Sequence, residues 1–223
     1  KKIFLDFWEE PKKSKRRKHE GIYTSYLFGK ANKKIQVILL DTRTFRDNLI
    51  HNQGNKGYKN HYIPHTSNDS TILGKDQWHW LKTQLKKPAQ IRIIASSIQF
   101  GHEYNGYESW TNFPHERERM LNLIKDSKAE GVLFISGDVH WAEISKVILD
   151  GLYPIFDVTS SGLNQKWYKT ENNKNRIGGK LRANNFGLIE VNWNEETTIS
   201  LKVLNKKGKI RLSHNVLLKK LQF

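Results

Sequence analysis

The tetrapeptide Gly137-Asp138-Val139-His140 places a carboxylate and an imidazole two residues apart, directly after the apolar run VLFIS (132–136). In extended backbone, residues two apart point the same way, so both side chains can reach one centre. Gly137 permits a turn and lets other groups approach the backbone. A carboxylate oxygen with an imidazole nitrogen suits a divalent or trivalent metal. The same two groups suit general acid–base work. No Ser or Cys nucleophile stands at a strand-to-helix elbow, so a metal that activates water is the stronger chemistry. The structural alternative is that Asp138 caps a turn and His140 packs as an ordinary polar residue.

The elements around this motif must deliver it to a rim. IQVILLD (35–41), IRIIASS (91–97) and VLFIS (132–136) read as buried strands. Between them, residues 71–87 and 114–131 read as helices. Trp78, Leu81 and Leu85 recur at helical spacing in the first, and Pro114 can start the second. After Ser136 come four stretches that read as strands, several of them alternating. Continuous apolar strands separated by helices imply a sheet covered on both faces, hence a layered α/β sandwich with an antiparallel part or a second packed sheet. Residues 49–70 and 163–185 lack periodicity and are expected to be long surface loops. Ligands of such sheets collect beyond the carboxyl ends of the strands. Asp41, Ser96, Ser97 and Asp138 are therefore expected at one rim.

With 223 residues the chain is long enough for one domain with a proper core, and no composition shift marks a linker. No apolar run reaches the ~18 residues of a membrane helix, so no membrane span is expected. The absence of cysteine excludes disulfides and thiolate chemistry. The first residue is lysine, which implies a removed leader or a fragment. Lys and Arg number 38 against 22 Asp and Glu, a net charge of +16. That excess would draw in anionic substrates. No nucleic-acid-binding signature accompanies it, so specific nucleic-acid binding is not expected.

SGDVHWAE (136–143) resembles the last metal-binding block of the alkaline phosphatase D (PhoD-like) family of metallophosphatases. Further blocks agree in the family's order: residues 4–29, LLDTRTFRDNL (39–49), GKDQWHWLKTQL (74–85), IIASSIQF (93–100) and ESWTNFPHERERML (108–121). The resemblance covers about residues 4–165. Residues 166–223 match loosely, through Asn185-Phe186-Gly187 and the strands after it. It implies a four-layer α/β-β-α metallophosphatase sandwich and a phosphoric ester hydrolase acting on mono- or diesters. It also implies metal cofactors, calcium with iron, and a periplasmic or secreted location. Carried over by position, Asp138 and His140 would be metal ligands and catalytic. Arg43 would face substrate or hold the strand-end carboxylate, with Asp41, Ser97 and Gln99 at the rim; His102, which follows the second strand, is a separate candidate for a substrate or metal role.

The family's earlier metal-binding blocks have no counterpart in residues 1–223. The chain is therefore expected to be the C-terminal portion of a single catalytic domain, partnered by a missing N-terminal half and incomplete in its metal ligands. The alternative is a non-catalytic basic fragment that binds polyanions. Among other candidates, His61 and His65 read as loop polarity because Pro64 argues against a helix. Glu116 is expected to pair with an arginine such as Arg117, and Arg16 or Arg17 to make an internal salt bridge. Glu143 is either a carboxylate that orients His140 or an exposed ion-pair partner.

Overall fold

The computed structural model describes residues 1–223. Twelve strands and three α-helices are arranged in chain order: α1 (Lys2–Phe7), β1 (Thr24–Phe28), β2 (Ile35–Leu39), β3 (Ile50–His51), β4 (Tyr62–Ile63), α2 (Gly74–Leu85), β5 (Ile91–Ala95), α3 (Pro114–Asp126), β6 (Val132–Ser136), β7 (Ala142–Leu149), β8 (Leu152–Ser160), β9 (Arg176–Leu181), β10 (Asn185–Asn192), β11 (Thr198–Asn205) and β12 (Ile210–Leu217). The main sheet has seven strands in the order β1-β2-β5-β6-β8-β7-β9. Its centre, β2, β5, β6 and β8, is parallel, while β1, β7 and β9 pair antiparallel at the two sides. β10, β11 and β12 form a separate antiparallel sheet.

Two helices cover one face of the parallel centre. Trp78, Leu81 and Leu85 of α2 and Met120 and Ile124 of α3 are buried in one cluster with Ile38, Ile94 and Phe134. Phe100 stacks flat on Phe134 at 3.9 Å between ring centroids and meets Trp110 edge-on at 5.3 Å. The small sheet lies on the opposite face, over β8: a Cβ on Gly187 would come within 3.3 Å of the Ser160 side chain. It leaves Val37, Ile93, Ala95 and Ile135 facing an open apolar recess of about 540 Å³, bounded on one side by Gly187, Leu188 and Ile189.

The α/β sandwich class is what the sequence implies. The four-layer count is not reached by the elements of residues 1–223, which give one helical layer, the main sheet and the small sheet. Within the expected loop 49–70 lies the short β3–β4 pair, and β9 falls inside 163–185. β9 pairs antiparallel with β7, and its Arg176 bonds the buried Glu143 of that strand; β3 and β4 are only two residues each.

Candidate active site

The parallel centre fixes where the site must be. β2, β5, β6 and β8 all point their carboxyl ends the same way, so Thr42, Ser97, Gly137 and Ser161 gather at one rim. The hydroxyls of Thr42 and Ser97 bond each other. Gly137 lies beside Ser97 and Ser161, and the backbone N–H of His140 donates to the Ser161 hydroxyl at 2.7 Å.

The loop after β6 is not extended. Asp138 has φ +76° and His140 φ +60°, both in the left-handed region that L residues rarely occupy. The premise of an extended Asp-x-His segment therefore fails, yet the two side chains line the same cavity. Two left-handed residues in one loop are backbone strain, which persists only where surroundings hold it and which concentrates at functional sites. Here the surroundings are two hydrogen bonds. His140 N–H reaches Ser161, and the His140 carbonyl accepts from Trp167 N–H at 3.0 Å.

The Asp138 carboxylate accepts no hydrogen bond and forms no ion pair within the protein. Crowding by neighbouring protein raises its pKa and the Glu108 carboxylate adds to the rise, whereas His140, Arg43 and Arg46 oppose it. The residue remains exposed, so solvent damps the shift. The Arg43 guanidinium, 61% exposed, pairs with Glu108 at 2.6 Å. Arg46 approaches the other oxygen of Glu108 at 3.5 Å, and its Nε and Nη1 are buried without a hydrogen-bond acceptor. Sequence reasoning missed Arg46. The signal was present, since Arg43 and Arg46 are two cations three residues apart just past a strand end.

The other expected rim residues sort differently. Asp41 is buried and accepts four hydrogen bonds: from the N–H groups of Ile22 (2.8 Å), Arg43 (3.0 Å) and Thr44 (2.9 Å), and from the Thr44 hydroxyl (2.6 Å). Burial alone would raise its pKa, but the bonds from Thr44, Arg43 and Ile22 outweigh burial and lower it. Ser97 is exposed at the rim. Gln99 is fully buried, donating to Glu143 at 3.0 Å and to Thr159 at 3.1 Å.

His102 has no exposed surface. Its Nδ1 meets the Glu103 carbonyl, and its Nε2 lies 3.6 Å from Glu143. Burial lowers its pKa, against the pull of Glu143. Its ring meets Trp141 edge-on at 6.4 Å between centroids, and it does not line the cavity of Asp138 and His140.

Glu143 is neither exposed nor bonded to His140. It is a fully buried hub that accepts from Gln99, Asn173 and Arg176. Glu116 likewise takes Thr71, Ile72, Trp78 and Arg119 rather than Arg117, whose Nε bonds the Phe100 carbonyl. The internal bridge expected near the N-terminus is Arg16 to Glu10 at 3.2 Å.

Asp138 and His140 supply one oxygen and one nitrogen donor to a shared cavity, and their free state fits a partial ligand set. No group of three or more His, Cys, Asp or Glu side chains gathers anywhere in residues 1–223. Metal sites usually take four or more donors, from side chains, backbone carbonyls or water.

A parallel-centred α/β sheet with polar groups converging beyond its strand ends is the arrangement in which open α/β folds collect their ligands. The family is identified by comparison. The family model described as PhoD-like phosphatase matches residues 7–207, and the chain belongs to that family. It is 33% identical over 132 residues to alkaline phosphatase D of Bacillus subtilis (strain 168), a match spanning 55% of this chain and 21% of that protein. The solved "Structure of PhoD" superimposes with a TM-score of 0.66 at 19% identity, over 97% of this chain and 46% of that chain, and so shares its fold. The chain thus spans about a fifth of the curated relative and under half of the solved one.

Proposed function

We propose that the protein carrying this chain hydrolyses phosphate mono- or diesters with a metal-activated water, and that Asp138 and His140 hold the metal. The observation that supports it most is the unpartnered Asp138 carboxylate, fixed beside His140 on one cavity by a strained loop. Family membership supports the reaction class. A carboxylate oxygen suits calcium, and an oxygen–nitrogen pair suits iron, so calcium with iron is compatible with these two donors. A bound ion would supply water of pKa roughly 7. The remaining donors are assigned to a part of the protein outside residues 1–223.

This chain's own residues orient the ester. Arg43 is exposed and held by a single carboxylate, so it can turn from Glu108 to a phosphoryl oxygen. Glu108 then keeps Arg46, which holds positive charge at the rim. His102, Gln99 and Asp41 are buried and bonded within the protein, so in this reading they hold structure and not substrate. No helix is long and apolar enough to cross a membrane, and export to the periplasm or exterior is assigned by family analogy alone.

Hydrolysis of 4-nitrophenyl phosphate by the whole protein is the test. Activity is expected to vanish with chelator and in Asp138→Ala. Activity that survives both overturns the assignment. The net charge of +16 favours one second reading, polyanion binding without catalysis. Heparin retention that falls steeply with salt and ignores Asp138→Ala, from a protein with no esterase activity, would replace the first reading with this one.

A further inference from the structure

The cavity that Asp138 and His140 line is otherwise aromatic and apolar. Its remaining walls are Tyr107, Val139, Trp141 and Trp167, and it is an open depression of about 210 Å³. Three of these walls are fixed in place. Trp141 is 3% exposed. Tyr107 N–H donates to the Asn105 side chain at 2.7 Å, and its ring leans on His61 at 5.5 Å. Trp167 is tied through its backbone N–H to the His140 carbonyl and presents its ring edge to the His140 imidazole at 6.5 Å between centroids.

Trp167 is nevertheless 45% exposed. A large aromatic held by its backbone at one spot, with its ring left open beside two unpartnered polar groups, is a surface that lacks its contact. The indole N–H of Trp141 is also buried without an acceptor, although buried tryptophans usually find one. The next residue after Tyr107 is Glu108, which holds Arg43 and Arg46. Cationic and aromatic walls therefore adjoin along two consecutive residues. An ester of phosphoric acid has the same division, with anionic oxygens at one end and an organic group at the other.

We propose that the Tyr107–Trp141–Trp167 cavity is the subsite for the alcohol group of the ester, and that it selects a single flat ring over a short alkyl or polyol group. The inference rests on the hydrolase assignment for its orientation, with phosphorus at Asp138 and Arg43. The volume sets the size. At about 210 Å³ it falls below the roughly 300–1,000 Å³ of pockets for drug-sized ligands. It accommodates one ring with a short substituent. Stacking on the open face of Trp167 supplies the preference.

The test uses the whole protein and two non-hydrolysable probes, phenylphosphonate and methylphosphonate, titrated by calorimetry. Phenylphosphonate is expected to bind about threefold to tenfold tighter, the range of one aromatic pair. Trp167→Ala should erase that ratio and leave methylphosphonate unchanged, while Trp167→Phe should keep most of it. Equal affinities in the wild type, binding of neither probe, or a Trp167→Ala loss equal for both probes each overturn the subsite. Kinetics separate this from the hydrolase assignment. If the assignment holds, Trp167→Ala raises KM for 4-nitrophenyl phosphate against ethyl phosphate with kcat unchanged. Hydrolysis lost in Asp138→Ala but with an unaltered KM ratio in Trp167→Ala sinks the subsite alone. A phenyl preference that depends on Trp167, with hydrolysis indifferent to both chelator and Asp138→Ala, sinks the metal-hydrolase assignment alone.

Discussion

The turn after β2 and the turn after β6 each place an aspartate just beyond an apolar strand of the same sheet. Asp41 is buried, accepts four hydrogen bonds and has a lowered pKa. Asp138 is exposed, accepts none, sits at positive φ and has a raised pKa. The difference lies in the residues on the C-terminal side of each aspartate. Thr44, three positions after Asp41, closes a side-chain-to-backbone turn that consumes the carboxylate. After Asp138 comes Val139, which is buried, and the loop is held from His140 onward instead. A strand-end aspartate is thus either a fastener or an open ligand, and the local hydrogen bonds decide which.

The largest way to break the comparison is Asp41→Ala. It leaves the amides of Ile22, Arg43 and Thr44 without their acceptor. We expect a loss of about 3 kcal/mol, since each orphaned donor costs roughly 1–3 kcal/mol and part of the cost relaxes. The denaturant midpoint reads it, and a loss under about 1 kcal/mol would mean the turn holds itself.

Another fully buried carboxylate, Asp157 on β8, sharpens the pH side. Burial raises its pKa to about 6 from 3.8, although Gly101 and Phe100 N–H groups donate to it. Between those values the native state keeps a proton that the unfolded chain has released, so Asp157 lowers stability as pH rises from 3.8 to about 6. Asp41 has the opposite sign: its contribution is complete above 3.8 and is lost as pH falls below that value. Relative to Asp157→Asn, wild-type unfolding free energy should fall by on the order of 2–3 kcal/mol across the upper window. Melts at a series of pH values check this, and a flat difference refutes it.

The smallest expected effect is Asp138→Gly. Glycine removes the left-handed strain and takes away no native hydrogen bond, so stability should rise by up to about 1 kcal/mol. Destabilisation by thermal melt would mean that the carboxylate is held by something other than strain.

The central strands and the cover helices were legible because their apolar periods are strong. VLFIS runs Val132–Ser136, as expected, and the helix expected from 114 ends at Asp126, where a capping turn stops it. The gathering of strand ends at one rim was legible from the alternation of strands and helices. The fate of each carboxylate was not. Glu143 is buried by Gln99, Asn173 and Arg176, which lie 30 to 44 residues away in the chain. Nothing adjacent to Glu143 announces those contacts. Left-handed backbone at Asp138 and His140 was equally hidden, because neither is glycine. Trp167 fell in a stretch without periodicity, where only the fold can say what an aromatic residue faces.

The segment between Trp167 and Arg176 is fastened at both ends, to the His140 carbonyl and to Glu143. Fastening shortens the free chain and removes most of the conformations an arriving molecule would otherwise have to freeze out. Ordering a mobile side chain on association costs about 0.5–1.5 kcal/mol. Under the proposed subsite, a guest at this edge meets a surface held at both ends, and chemical differences between guests show in their residence times.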